Sequence, residues 1–488
     1  MLHHALIACV LALPALGAAA PPQTRPATAP ATRPALVGQW LGTLQAGPAR
    51  LRVVFHISAG AGGALAGTLD SIDQGLKGIP LSAVIATEGG VRFECAVLMG
   101  TFRGTLVGDV LDGQWSQGTV TLPLTLARVE RVPELNRPQT PRPPYPYREE
   151  LVAFDNPAAP GVRLGATLTW PAGAGPFPAV VLLPGSGPQT RDEVVFGHAI
   201  FHVLADHLTR RGIAVLRADK RGVGASSGDF AKATTADLAS DARAAIAFLK
   251  GRPQIDAQRI GLLGHSEGGA AAPMAAGAAD VAFVVLLAAP GVVGHELIVE
   301  QRRLIGRSAG VPEAQVARST AVFARLVDAV RTEPDDAKAQ AKMREIVGDA
   351  LKDLTPAERG AAGDADAATA GMKFLTTPWF RYFLTLDPAP HLAKVTCPVL
   401  AINGEKDTQV GPLQNLPPIE AALKAAGNRG VTAQVIPGVN HLFQTCTTGS
   451  PAEYVTIEET ISPKVLTLIA DWIAARTNLS APRATTVP

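Results

Sequence analysis

Apolar residues follow three rhythms along this chain, and each predicts a different kind of structure. From residue 36 to 130 they come in short alternating runs, as in Leu51-Arg52-Val53-Val54-Phe55-His56-Ile57 and Val91-Arg92-Phe93-Glu94-Cys95-Ala96-Val97. Alternation with period two puts every second side chain on one face of a strand, and glycine turns separate the runs. About eight strands at this spacing predict a small all-β barrel or sandwich. From 147 to 478 the pattern changes to continuous apolar strands such as Phe177-Pro178-Ala179-Val180-Val181-Leu182-Leu183, alternating with helical periodicity. That is an α/β pattern, with strands covered on both faces. Over 291–393 the strand–helix rhythm breaks. Helical periodicity through 297–305, 316–330 and 337–354 predicts an inserted helical cap.

Punctuation between these blocks sets the expected domain limits. Residues 1–20 read as a secretory signal, with an apolar run over 5–16 followed by Gly17-Ala18-Ala19-Ala20. The run is too short to span a bilayer, so a secreted or periplasmic protein without stable membrane insertion is expected. A Pro/Ala/Thr-rich tether over 21–35 precedes the all-β block. A linker over 131–146, with Pro133, Pro138, Pro141, Pro143, Pro144 and Pro146, is expected to be a semi-rigid spacer. Residues 479–488 form a short tail.

The densest chemistry lies at Gly264-His265-Ser266-Glu267-Gly268, between an apolar strand and a small-residue helix. G-x-S-x-G in that context places a serine on a tight turn with its hydroxyl exposed at a helix N-terminus, where negative charge is favoured. Ser266 is the expected nucleophile. Downstream, Asp407 follows the strand within Cys397-Pro398-Val399-Leu400-Ala401-Ile402-Asn403-Gly404, and His441 follows the strand over 431–436. Parallel strands bring their C-terminal ends to one edge, so Ser266, Asp407 and His441 are expected to converge as nucleophile, orienting acid and general base. Glu405 is the reserve acid. Two backbone amides should receive the oxyanion, that of Glu267 and one from Pro184-Gly185-Ser186-Gly187-Pro188; with prolines at both ends, Ser186 is the candidate.

These residues resemble the α/β-hydrolase superfamily. Asp219-Lys220-Arg221-Gly222-Val223-Gly224-Ala225-Ser226 looks like the D-x-R-G-x-G-x-S loop that follows its fourth strand. The segments PGSGPQTRDE, DKRGVGASSG, GHSEGG, CPVLAINGEKD and PGVNHLFQ are similar to those of bacterial carboxylesterases carrying an extra N-terminal β-domain. The resemblance covers 147–477 and implies a mostly parallel central sheet with helices on both faces and a capped site. It also implies a serine esterase that works through an acyl-enzyme. One departure is Pro184, where many relatives have a histidine before the oxyanion glycine.

Composition narrows the partners. Charged residues make up 18% of the 488 residues and the formal net charge is +2, with no run of Lys or Arg, so neither nucleic acid nor an anionic membrane surface is expected as a partner. The expected partner is a small-molecule ester; the oligomeric state is not legible. No cofactor and no metal are expected: His198 and His202, at i and i+4, lack a metal-binding pattern and read as a solvated helix face. Cys95, Cys397 and Cys446 are too few and too dispersed for a disulfide framework and read as free, buried thiols.

Aromatics are scarce, at 5%, so their clusters stand out. Trp40 and Trp115 read as core residues of the β block in preference to a glycan platform. Trp379, Phe380 and Phe383, at the end of the cap, fit either a substrate-pocket wall or the glue between cap and catalytic domain. Lys220-Arg221 and Arg191-Asp192-Glu193 read as loop-tethering ion pairs. An aminopeptidase with the same triad is the alternative enzyme, and an inert glycan- or wall-binding protein the alternative of another class.

Overall fold

The computed structural model describes residues 36–479 except 47–48, 88–89, 118–119, 355–368 and 370. The expected signal over 1–20, the tether over 21–35 and nearly all of the tail lie outside the described residues.

The first block is one antiparallel sheet of nine strands: β1 (Gly38–Ala46), β2 (Ala49–Ala59), β3 (Leu65–Ser71), β4 (Leu76–Pro80), β5 (Ala83–Thr87), β6 (Gly90–Cys95), β7 (Gly100–Val107), β8 (Val110–Gln117) and β9 (Val120–Val129). Their order, β4-β3-β2-β1-β9-β8-β7-β6-β5, is an up-and-down meander whose first and last strands pair. β4 and β5 do not pair. At that seam Leu81 N donates to Gly67 O and Ser82 N to Glu94 O, so the connection itself bridges β3 to β6. The sheet rolls around Trp40, Phe55, Phe93, Phe102 and Trp115, all buried. Trp115 fills the space over Gly100, where a Cβ would stand 2.1 Å from its ring. Trp40 donates from Nε1 to Leu36 O at 2.8 Å. Both tryptophans are therefore core residues, not a glycan platform.

The second block is an eight-stranded sheet. Its strands are β10 (Tyr147–Asp155), β11 (Arg163–Pro171), β12 (Phe177–Leu183), β15 (Ala214–Ala218), β16 (Ile255–His265), β17 (Val284–Leu287), β18 (Val399–Gly404) and β19 (Val431–Ile436); the short hairpin β13 (Val194–Val195) and β14 (His198–Ala199) stands apart. The order is β10-β11-β15-β12-β16-β17-β18-β19, with β10, β11 and β15 antiparallel to their neighbours in turn and every pairing from β15 to β19 parallel. Strands β17 and β18 are buried at every residue. Helices close both faces. α1 (Ile200–Arg210) and α10 (Pro463–Arg476) cover one, while α2 (Thr235–Lys250), α3 (Glu267–Ala276) and α9 (Pro412–Ala425) cover the other. This double covering is why the strands read as unbroken apolar runs.

Between β17 and β18 the chain leaves the sheet for α4 (Gly294–Ser308), α5 (Glu313–Thr332), α6 (Asp336–Lys352), α7 (Pro378–Thr385) and α8 (Ala389–Leu392). Leu297, Leu326, Val330, Met343, Phe380 and Leu384 pack among themselves and against Ala270 of α3. That places the helical insertion against the helix whose N-cap is Ser266.

The linker departs from expectation. It is no free spacer but is strapped to the second block. Arg137 donates from Nη2 to Phe196 O (2.8 Å) and Val455 O (3.0 Å), and from Nη1 to Ile457 O (3.0 Å). Gln139 donates from Nε2 to Ile461 O (2.8 Å) and accepts from the amides of Thr460 and Ile461. Cys95, Cys397 and Cys446 are free thiols, as expected, but only Cys95 is buried; Cys397 and Cys446 are half-buried. Among the described residues no helix is long and apolar enough to cross a membrane.

Candidate active site

The turn after β16 holds Ser266 at φ 53°, ψ −118°, a left-handed backbone that L residues rarely adopt. Such a conformation persists only where its surroundings enforce it. Here Ser266 N donates to Leu287 O of β17 (2.9 Å), and Ser266 O accepts from Gly269 N (2.8 Å). The flanking glycines are steric necessities. A Cβ on Gly264 would stand 2.1 Å from Gly268 O, and one on Gly268 would stand 2.0 Å from Leu183 O.

His441 reaches this serine from the loop after β19. Its Nε2 lies 3.2 Å from Ser266 Oγ, and its Nδ1 lies 2.8 Å from Asp407 Oδ2. A carboxylate only accepts, so the hydrogen sits on Nδ1 and the Nε2 lone pair faces the serine hydroxyl. Asp407 is fixed from behind, since its Oδ1 accepts the amides of Gln409 and Val410, each at 2.8 Å. Both His441 and Asp407 are buried. Glu405, the reserve acid, is exposed and takes the Gly438 amide instead (2.8 Å). The three residues named from sequence therefore come together, and the reserve acid stays outside.

On the other side of Ser266 runs the loop after β12. The Gly185 amide is committed to Glu193 Oε1 at 2.6 Å, while Ser186 uses its carbonyl to accept from Gln189 Nε2 at 3.1 Å. The Ser186 amide follows in the same loop, and the Glu267 amide opens α3.

The Glu267 side chain is buried and saturated. Its Oε2 takes Lys220 Nζ (3.0 Å), and its Oε1 takes Thr235 Oγ1 (2.8 Å) and Trp379 Nε1 (2.7 Å). Trp379 thus ties α7 of the insertion to the residue beside the nucleophile. It stacks on Phe383 with centroids 5.3 Å apart. Phe380 and Phe383 are spent in helix packing, and of the three aromatics only Trp379 keeps a partly exposed face.

The charged loop residues pair across elements. Arg191 meets Asp219 (2.7 Å), Asp192 meets Arg217 (2.8 Å) and Arg221 meets Asp241 (2.8 Å). Glu193 meets His265 Nδ1 at 2.9 Å, a contact with no local sequence signal, because the two residues lie 72 positions apart. Among the described residues no cluster of three His, Cys, Asp or Glu could hold a metal.

His198 requires a correction. It lies on β14, before the helix, and is fully buried instead of solvated. Its Nε2 donates to Tyr454 O (2.9 Å) and its Nδ1 accepts from Thr460 Oγ1 (3.1 Å), the pattern of a neutral ring. Burial pushes its pKa down to about 4. The unfolded chain, near 6.5, binds the proton more readily, so stability from the neutral ring is complete above that value and is lost as pH falls toward 4. Between pH 7 and pH 5 this group should remove about 2 kcal/mol of unfolding free energy. Urea titrations at both values, on the parent and on His198→Gln, check it; an equal fall in both proteins would assign the acid sensitivity elsewhere.

Comparison with known proteins gives the family. Residues 180–457 match the model of the alpha/beta hydrolase family. Esterase EstD of Thermotoga maritima is 29% identical over 315 residues, covering 64% of this chain and 65% of that protein, so the match spans just under two thirds of the relative. Among solved structures, a Pyrococcus furiosus esterase aligns at 15% identity over 68% of this chain and 93% of its own, with a TM-score of 0.41. A proline iminopeptidase from Mycobacterium smegmatis aligns at 17% identity over 67% and 99%, with a TM-score of 0.42.

Proposed function

The chain belongs to the alpha/beta hydrolase family, and from that premise we propose that it is a serine hydrolase cleaving carboxylic esters through an acyl-enzyme. The observation that carries this reading is the unbroken chain of hydrogen bonds from Asp407 through His441 to Ser266, at 2.8 and 3.2 Å. In the proposed reaction His441 Nε2 takes the Ser266 proton as Oγ attacks the ester carbonyl carbon. Asp407 holds the ring and stabilises the imidazolium that forms. The amides of Glu267 and Ser186 receive the oxyanion, aided by the N-terminus of α3. Collapse breaks the C–O bond, and His441 returns the proton to the leaving alkoxide. Water then attacks the acyl-serine by the same route in reverse. No cofactor enters any step.

Helices α4 to α7 act in this reading as a cap over the site, with Trp379 the candidate pocket wall among the three aromatics. The segment over 1–20 directs the protein out of the cytoplasm, and the substrate is a small-molecule ester. The similarity to an esterase supports the same class.

Esters are favoured over peptides by the state of Glu267. A peptidase that holds a free amine needs an available carboxylate near its nucleophile, and Glu267 is neutralised by Lys220 and fully hydrogen-bonded. Short-chain nitrophenyl esters should therefore turn over with kcat/KM at least about 100-fold above aminoacyl nitroanilides. Both series measured on one preparation decide it. Comparable nitroanilide hydrolysis would move the protein to the peptidase branch.

A further inference from the structure

His265, the residue before the nucleophile, has no part in the reaction proposed above, yet its surroundings are highly specified. Its ring is buried, and each nitrogen faces an acceptor. Nε2 lies 3.1 Å from the backbone carbonyl of His441, and Nδ1 lies 2.9 Å from Glu193 Oε1. A carbonyl oxygen cannot donate, so Nε2 carries a hydrogen. Glu193 Oε1 also receives the Gly185 amide at 2.6 Å, a donor that favours the ionised carboxylate, and an ionised carboxylate can only accept, which puts a hydrogen on Nδ1 as well.

The chain makes concessions to hold this arrangement. Glu193 sits at φ 45°, left-handed backbone at a residue that is not glycine, and its side chain is buried with Oε2 making no hydrogen bond. At Gly185 a Cβ would stand 2.9 Å from Glu193 Oε1, so only glycine lets the carboxylate lie under this loop. Strained backbone and a partly unsatisfied buried charge at one residue mark a site held by its surroundings for a purpose other than stability.

We propose that His265 is an imidazolium at neutral pH and that the Glu193–His265 ion pair is a positioning device for hydrolysis. One end holds the oxyanion loop through Gly185, and the other holds the general base through the carbonyl of His441. The His265 and His441 rings are 4.9 Å apart, so the pair packs directly against the imidazole it positions. The groups facing His265 are Glu193 from the loop after β12, Asp407 from the loop after β18 and His441 from the loop after β19. Burial acts to lower the His265 pKa, but Glu193 outweighs it and holds it above the ordinary value. The stability contributed by this proton is complete below the ordinary imidazole value and is lost as pH rises through the raised one.

The positioning role rests on the serine-hydrolase reading, whereas the charge state does not, and the test separates them. In ¹⁵N-histidine-labelled parent protein, with the resonance assigned by its loss in His265→Asn, both His265 ring nitrogens should carry hydrogens at pH 7. A single protonated nitrogen there overturns the proposal, whatever the protein hydrolyses. Glu193→Gln keeps the volume and an acceptor for Gly185 but removes the charge. It should cost His265 one of its two hydrogens and lower kcat roughly tenfold with KM nearly unchanged. A folded Glu193→Gln protein with parental kcat overturns the positioning role. If that variant does not fold, the parent spectrum and the milder Glu193→Asp, which should recover part of kcat, decide in its place.

Discussion

Replacing Ser266 with alanine should lower kcat by about 10⁴-fold or more and abolish labelling by a fluorophosphonate probe. The expectation follows from what remains afterwards. Oxyanion amides and binding contacts survive, but no atom is left for His441 to deprotonate. Folding should be untouched, because alanine inherits the same backbone and the same bond from Ser266 N to Leu287 O. A glycine at 266 separates chemistry from strain. It adopts φ 53° without steric cost, so Ser266→Gly should be equally inactive yet more stable by about 1 kcal/mol, read by urea unfolding. Labelling of either variant at the parental rate would remove Ser266 from the mechanism.

The second large effect is expected at Asp407. Its Oδ1 is claimed by the amides of Gln409 and Val410, which need an acceptor. In Asp407→Asn the amide oxygen stays with those two donors, and the NH₂ group turns toward His441 Nδ1. Nδ1 must then accept, Nε2 carries the hydrogen, and the ring presents a donor to a hydroxyl that it should deprotonate. The wrong tautomer should lower kcat by roughly 10³- to 10⁴-fold, with the fold intact. Glu405→Gln should cost little, since Glu405 is exposed and serves only the Gly438 amide. Steady-state ester hydrolysis by both variants is the measurement, and sensitivity at Glu405 in place of Asp407 would reverse the acid assignment.

Why these positions were legible, and others not, comes down to range. Ser266, Asp407 and His441 each follow a buried apolar strand, and parallel pairing alone carries such ends to one edge. His198 was misread because a helical period was extended backwards over it. The chain there turns through Phe196 at φ 50° and Gly197 at φ 77°, so the helix starts at Ile200 and His198 points inward. Barrel and sandwich share the same alternation, and it is long-range pairing, β1 with β9, that joins the block into one rolled nine-stranded sheet left open between β4 and β5. The Trp379 cluster was visible as composition, but its partner Glu267 lies 112 residues away. Likewise, nothing local to Glu193 announces His265.

Strapping by Arg137 and Gln139 bears on where the second block truly begins as a working module. Its first strand starts at Tyr147, and the proline-rich stretch before it looks dispensable. Yet the carbonyls of Phe196, Val455 and Ile457 are saturated by a guanidinium ten residues upstream of that strand. The same stretch of chain carries Tyr454, whose ring meets Phe196 and whose hydroxyl takes Gln409 Nε2, two residues from Asp407. A protease nick or a gene fusion made at the strand would therefore strip a support from the loop that carries Asp407 while leaving Ser266, Asp407 and His441 in place. The second block carries its own foundation in what looks like the connection to its neighbour, and its bonded border lies at Arg137.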